Sequence, residues 1–255
     1  MASQNSSVIM QPCVSYWGMH KSARNLDAIT SYYFPIYGLS ERDFFTYYPV
    51  LTFVESVIYQ ADEKVEESQV KNSFSDGINY WIQTKNLIIK FLKKRNLEHP
   101  LIEKYLDDLE EYYHLENRLM SKETVTYTDI IKAAELRTSD LRTLHAILFK
   151  MANKPYNQNA FDVMWTLEVL ADLEDDIKQY EGDVKKDNYN TYRMLVKLYG
   201  EKAFKYLQAE LERYNNFLQE RIAQSPEDEQ KIYLEILSRY KKELSAETIP
   251  EPILE

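Results

Sequence analysis

The chain has 255 residues with 5 Gly, 8 Pro and 1 Cys, and Gly plus Pro at about 5 % is less than half of average usage. Sandwiches, barrels and propellers need turn residues about every 8–12 positions, and no GxGxxG or GKS/T sequence marks a doubly wound nucleotide fold, so an all-α protein is expected. Forty-one acids against 31 bases leave a net charge of −10, which argues against a nucleic-acid partner whose phosphates would be repelled.

In chain order, residues 1–24 lack periodicity and read as a loosely attached arm. The opening MASQNSSVIMQPC has neither a basic segment nor a long apolar core, so it does not read as a secretory signal. Cys13 has no partner for an internal disulfide, which fits a cytoplasmic location. A short helix is expected from residue 25, stopping near Pro35 and Gly38, and Ser40 with Asp43 three residues on reads as the start of the next, long helix over 41–67. Further helical patterns cover 70–95, 99–119, 127–151, 157–184, 189–199, 201–223 and 227–244, with breaks at Pro100, Pro155, Gly182 to Asn190 and Pro226. No stretch approaches the ~18 apolar residues of a membrane span. The expectation is one all-α domain over 25–245 followed by an extended tail over 246–255. Trp81, Phe149 and His145 are expected in the core. The four histidines show no HExxH spacing, and nothing around Cys13 suggests a nucleophile.

Two acidic clusters stand out. Asp62 and Glu66 share a face at the end of the 41–67 helix, and the same face runs back through Tyr59, Glu55, Thr52 and Tyr48. Glu55 either faces inward with Asp62 or is exposed or paired. On the 157–184 helix, Asp172, Asp176, Gln179 and Asp183 fall at offsets 0, +4, +7 and +11, a stripe that continues back through Val169 and Trp165. Such a face, aromatic at one end and carboxylate at the other, suits the wall of a deep pocket. Crowded carboxylates repel one another, and a divalent cation relieves that repulsion. Mg²⁺ takes one or two carboxylates and completes its octahedron with water and phosphate oxygens, so two facing clusters could hold a diphosphate. The plain alternative is that both clusters are solvated helix faces.

The layout resembles the class I isoprenoid (terpenoid) synthase superfamily over roughly residues 30–245. The run from Ser31 through Tyr59-Gln60-Ala61-Asp62-Glu63-Lys64-Val65-Glu66-Glu67 is similar to the entry segment of phytoene synthases, with an acid wherever that motif has one. The run from Tyr127 to Thr138 is similar to the helix preceding the Lys-Thr motif of trans-prenyl synthases. The run Asp175 to Asp183 resembles a DDxxD-type second motif with Gln179 in place of its last acid. It also matches the cyclase pattern (N/D)DxxSxxxE at Asp175, Gln179 and Asp183. Lys185 and Lys186 stand where the phytoene branch has paired arginines, and Arg239-Tyr240 is loosely similar to the C-terminal Arg-Tyr pair of bacterial cyclases. No GGKRxRP-like segment is present.

The resemblance implies a helical bundle with a central cavity that binds a prenyl diphosphate through Mg²⁺, helical dimers being common in that superfamily. The metal ligands would come from Asp62, Glu63 and Glu66 on one wall and Asp172, Asp175, Asp176, Gln179 and Asp183 on the other, with Asp62, Glu66, Asp176 and Asp183 central to the chemistry. Arg137, Lys186 and Arg239 would meet the diphosphate, and Tyr48, Phe53, Tyr59, Trp165 and Val169 would line the cavity. The expected activity is ionisation of a prenyl diphosphate with release of pyrophosphate, by a cyclase or a squalene/phytoene-type synthase. The alternatives are a non-catalytic relative that binds an isoprenoid or a protein, and a helical scaffold.

Overall fold

The computed structural model describes residues 14–71, 73–121, 124–243 and 249–254. Residues 1–13 of the expected arm, Cys13 among them, and residues 246–248 and 255 of the expected tail lie outside the described residues. Every regular element among the described residues is helical. In order these are α1 (Tyr16–Ala28), a π turn (Ile29–Tyr33) leading into α2 (Phe34–Ile36), a 3₁₀ turn (Glu41–Asp43), α3 (Phe44–Val70), α4 (Phe74–Lys93), α5 (Pro100–Met120), α6 (Tyr127–Arg137), α7 (Ser139–Met151), α8 (Gln158–Lys186), α9 (Thr191–Tyr199), a 3₁₀ turn (Gly200–Lys202), α10 (Ala203–Gln224) and α11 (Glu227–Glu243). None of these helices is long and apolar enough to cross a membrane.

Local chemistry sets the helix ends. Ser40 with Asp43 and Thr126 with Asp129 form reciprocal capping boxes. Ser15, Asn157 and Asn190 each accept a hydrogen bond from the backbone of the first turn that follows. Pro100 takes the first position of α5, where its missing N–H costs nothing, and α8 ends on Asp187 in the left-handed region at φ 58°.

Two sequence expectations differ from the structure. Residues 16–24, expected in the arm, are helical, because Ser15 caps them and Gly18, Ser22 and Leu26 form a buried face against α3. That face is small rather than greasy, so it gives little apolar periodicity. The expected single helix over 127–151 is two helices that break at the buried Thr138, whose ψ is 2°. The run Thr138-Ser139-Asp140 offers side-chain oxygens that compete with the helical ladder: Thr138 Oγ1 donates to the carbonyl of Glu135, and the backbone N–H of Leu141 donates to Asp140.

The helices pack as one compact body. α3 lies between α1 and α4 and touches α7; α7 packs on α5; α5 packs on α6; and α8, α9 and α10 pack on one another. The core includes the fully buried Trp81, edge-on to Tyr113 at 5.1 Å, and His145, whose Nε2 lies 2.5 Å from the Tyr37 hydroxyl. Burial, with the charge of Arg142, pushes the His145 imidazole down to about 3, so it is neutral in the core. Trp17, by contrast, is exposed on α1. Residues 249–254 carry no helix and lie against α8 and α9, where Tyr192 donates to the carbonyl of Pro250 and the backbone of Ile253 donates to Tyr180.

The α1–α3 crossing depends on Gly18. A Cβ there would sit 2.6 Å from the backbone oxygen of Ser56, whereas one on Gly182 in α8 would meet nothing within 4 Å. Gly18→Ala is therefore expected to destabilise the fold by about 1–3 kcal/mol through overpacking. Gly182→Ala is expected to stabilise it by about 0.5–1 kcal/mol through helix propensity. Urea denaturation of the two variants checks the opposite signs.

Candidate active site

The inner stripe of α3 presents Glu55, Tyr59 and Asp62 at offsets 0, +4 and +7. The inner stripe of α8 presents Glu168, Asp172 and Asp176 at offsets 0, +4 and +8. The break at Thr138 delivers Arg137 from the end of α6 and Asp140 from the start of α7. These side chains converge. Arg137 Nη1 donates to Asp176 at 2.8 Å and its Nε lies 3.9 Å from Asp172. The Asn25 amide nitrogen lies 2.6 Å from Glu55, 3.1 Å from the Tyr59 hydroxyl and 3.2 Å from Asp140, so its two hydrogens serve acceptors on two helices. Tyr33 donates to Glu168, while Tyr112 at 3.1 Å and Gln69 at 3.0 Å donate to Glu116 of α5.

The Arg137 side chain keeps 35 % of its surface exposed and Asp172 keeps 31 %, so both reach solvent. Asp62 and Asp140 are likewise half-buried. One oxygen each of the buried Glu55 and Glu168 has no hydrogen-bond partner.

The electrostatics follow from many acids and few cations. Burial holds Asp62 well above the usual carboxylate range; repulsion from Glu66 and Glu116 adds to it, and Lys21 and Arg137 oppose it. Burial, then the charge of Asp140, does the same to Glu55 against the Asn25 hydrogen bond. Asp140 is pushed up to about 6 by burial, with the Leu141 N–H and Arg137 opposing. Asp172 rises to about 7 against Arg137, Glu116 to about 7 and Glu168 to about 8, in each case chiefly by burial.

Asp176 differs from its neighbours because both its oxygens are engaged, one by Arg137 and the other by the backbone N–H of Thr191 at 2.8 Å. Asn190 Nδ2 reaches the carbonyl of Asp176 at 2.8 Å and the carboxylate of Asp183 at 3.0 Å. These contacts tie the N-terminus of α9 to α8. Asp175 pairs with Arg24 at 2.5 Å, and Glu63 lies 3.7 Å from Lys21.

Of the other predicted site residues, Glu66, one turn beyond Asp62, is exposed, as are Gln179 and Lys186. Arg239, on α11, donates to the carbonyl of Ser31 at 3.2 Å and to Glu235 at 2.6 Å. Tyr48 packs on Phe44 with ring centroids 4.2 Å apart, and Phe53 stacks on Phe91 of α4 at 4.1 Å. Trp165 lies edge-on to Tyr214 at 6.2 Å, and Val169 is fully buried core. A separate cleft of about 250 Å³ between α9 and residues 253–254 shares no lining residue with the carboxylate group.

Glu116, Asp140 and Glu168 belong to the site but were not singled out from the sequence. Glu168 sits one turn before Asp172 on the same stripe, a signal that was readable; Glu116 lies on another helix, in a mixed polar run (Glu110-Glu111-Tyr112-Tyr113-His114-Leu115-Glu116-Asn117-Arg118) that does not set it apart.

No group of three or more His, Cys, Asp or Glu side chains among the described residues is arranged to hold a metal ion. Mg²⁺ needs only one or two carboxylates, and hard oxygen donors in excess of cations suit it. Asp62 and Asp172 are half-buried carboxylates of the kind that fits, whereas both oxygens of Asp176 are taken up by Arg137 and Thr191. Compared with protein-family models, with curated proteins and with solved structures, the chain finds no match.

Asp140, Asp172, Glu116 and Glu168 titrate near 4 when unfolded and at about 6 to about 8 when folded, so between these values the folded state holds more protons. Their contribution to stability is complete below about pH 4 and is lost as pH rises through the folded values. The urea midpoint is expected to fall between pH 5 and pH 8, and millimolar Mg²⁺ is expected to restore it at pH 8 while leaving it unchanged at pH 5. Denaturation curves with and without the metal check both signs.

Proposed function

We propose that the protein is a Mg²⁺-dependent enzyme that ionises a prenyl diphosphate and releases pyrophosphate, acting on one substrate in the manner of a terpene cyclase rather than coupling two. The observation that carries this reading is that Asp62 of α3 and Asp172 of α8 both face the interior that contains Arg137 and Tyr59.

Arg137 is a positive charge beside Asp172 and Asp176 in the middle of α8, and its field reaches Asp62 of α3. Held by Asp176, its guanidinium is aimed before substrate arrives, and a pre-aimed cation stabilises charge that grows on a departing diphosphate. Asp62 and Asp172 would hold Mg²⁺, which, when bound, supplies Lewis-acid polarisation of the diphosphate oxygens. The half-buried Tyr59 lies beside these acids, and a ring face there would steady a carbocation, worth about 2 kcal/mol when water is excluded, while the buried Tyr112 and Tyr113 pack behind it. Their raised pKa values, caused first by burial, keep them neutral at physiological pH.

A second reading, a non-catalytic isoprenoid-binding relative, is favoured by one observation: Asp175, Asp176 and Asp183 are all engaged by protein groups. Incubation with Mg²⁺ and geranyl, farnesyl or geranylgeranyl diphosphate, followed by measurement of released pyrophosphate, separates the two. Release is expected from the wild type. Asp62→Asn and Asp172→Asn are each expected to reduce it by about 100-fold. Both variants should melt at or above the wild-type temperature, since each removes a buried acid whose ionisation the fold opposes. No release from any chain length would leave the binding reading.

A further inference from the structure

The helix α1 carries two cations that the account above leaves unused. Lys21, Arg24 and Asn25 lie three and one residues apart and share a side of α1. From that side Lys21 reaches Glu63 on α3, Arg24 reaches Asp175 on α8, and Asn25 reaches Glu55, Tyr59 and Asp140. One helix thus touches both acidic motifs and α7 over the same interior. Its position does not depend on those ion pairs, because Gly18 is packed against the Ser56 backbone and Ser22 bonds Ser56 at 3.1 Å.

The two cations differ from Arg137 in exposure: 39 % of the Lys21 side chain and 74 % of Arg24 are open to solvent. Ion pairs this exposed are worth about 0–1 kcal/mol, so they exchange partners at little cost. A diphosphate carries several negative charges, and Arg137 already serves two carboxylates. We propose that Lys21 and Arg24 are diphosphate-binding residues, rim cations that leave Glu63 and Asp175 for phosphate oxygens when Mg²⁺ neutralises the acidic helices. This rests on the prenyl diphosphate reading above. The competing role for the same contacts is a latch that holds the site shut, and the two roles predict opposite signs.

Isothermal titration calorimetry of the full chain with inorganic pyrophosphate in excess Mg²⁺ distinguishes them. Lys21→Gln and Arg24→Gln are each expected to weaken pyrophosphate binding by about tenfold, as loss of a charge-assisted hydrogen bond does, and the double variant by more than either. Arg24→Lys should recover most of the Arg24→Gln loss. Lys104→Gln, which removes an exposed cation paired with Asp108 on α5, should change affinity less than about twofold. Unchanged melting temperatures exclude a folding defect. If the wild type binds pyrophosphate and the double variant binds as well or more tightly, the assignment of Lys21 and Arg24 is overturned while the diphosphate reading stands. If the wild type binds no pyrophosphate with Mg²⁺, both are overturned.

Discussion

Arg137 bonds Asp176 and lies beside Asp172 in an interior that also receives Glu55, Asp62, Asp140, Glu116 and Glu168. A buried charge is tolerated only when it is paired or neutralised, so the few guanidiniums here, Arg137 and, beside Glu168, Arg142, constrain what surrounds so many carboxyls. Several features follow. The helix through 127–151 breaks, which lets Arg137 and Asp140 enter from different helices. The N-terminus of α9 points its Thr191 N–H at Asp176, adding donors and the positive end of a helix without adding a side-chain charge.

The same constraint suits tyrosine as the partner of a buried acid. Tyr33 donates to Glu168 and Tyr112 to Glu116, and Tyr214 and Tyr240 do the same for Glu135 and Glu174 outside the group. A phenol fills apolar space with its ring and satisfies an acid with its hydroxyl, and it stays neutral while doing so. A lysine in that role would cancel the negative surplus. The interior therefore keeps its excess of oxygen donors, at the cost of holding several carboxyls protonated near neutral pH.

The all-α architecture was legible because few glycines and prolines and long 3.6-residue periods leave little else; expected and observed helix ends agree within a few residues from α3 to α11, Thr138 apart. Two features were hidden for definite reasons. α1 docks through Gly18 and Ser22, and small residues leave no hydrophobic periodicity to detect. The break at Thr138 is signalled by Thr-Ser-Asp in sequence, but the flanking apolar residues run on in register. Within the site, the stripe arithmetic grouped Asp62 with Glu66 and Asp172 with Asp176 and Gln179; in the structure Asp176 is buried, Asp62 and Asp172 are half-buried, and Glu66 and Gln179 are exposed. Spacing could not distinguish the half-buried Asp172 from Asp176, whose oxygens are taken by residues 39 earlier and 15 later in the chain. Nor could it anticipate that Phe53 belongs to the α3–α4 contact, since that depends on Phe91.

The three tryptophans occupy three distinct environments: Trp17 is exposed on α1, Trp81 is sealed between helices, and Trp165 is half-buried on α8, its indole N–H directed at the carbonyl of Glu135 at 3.4 Å. Indole emission shifts to the red with solvent contact. The native spectrum is thus a composite whose long-wavelength edge comes from α1 and whose blue component comes from the core. Collisional quenchers such as iodide should remove the first and spare the second, giving the unlabelled protein a built-in optical signal for movement of its N-terminal helix.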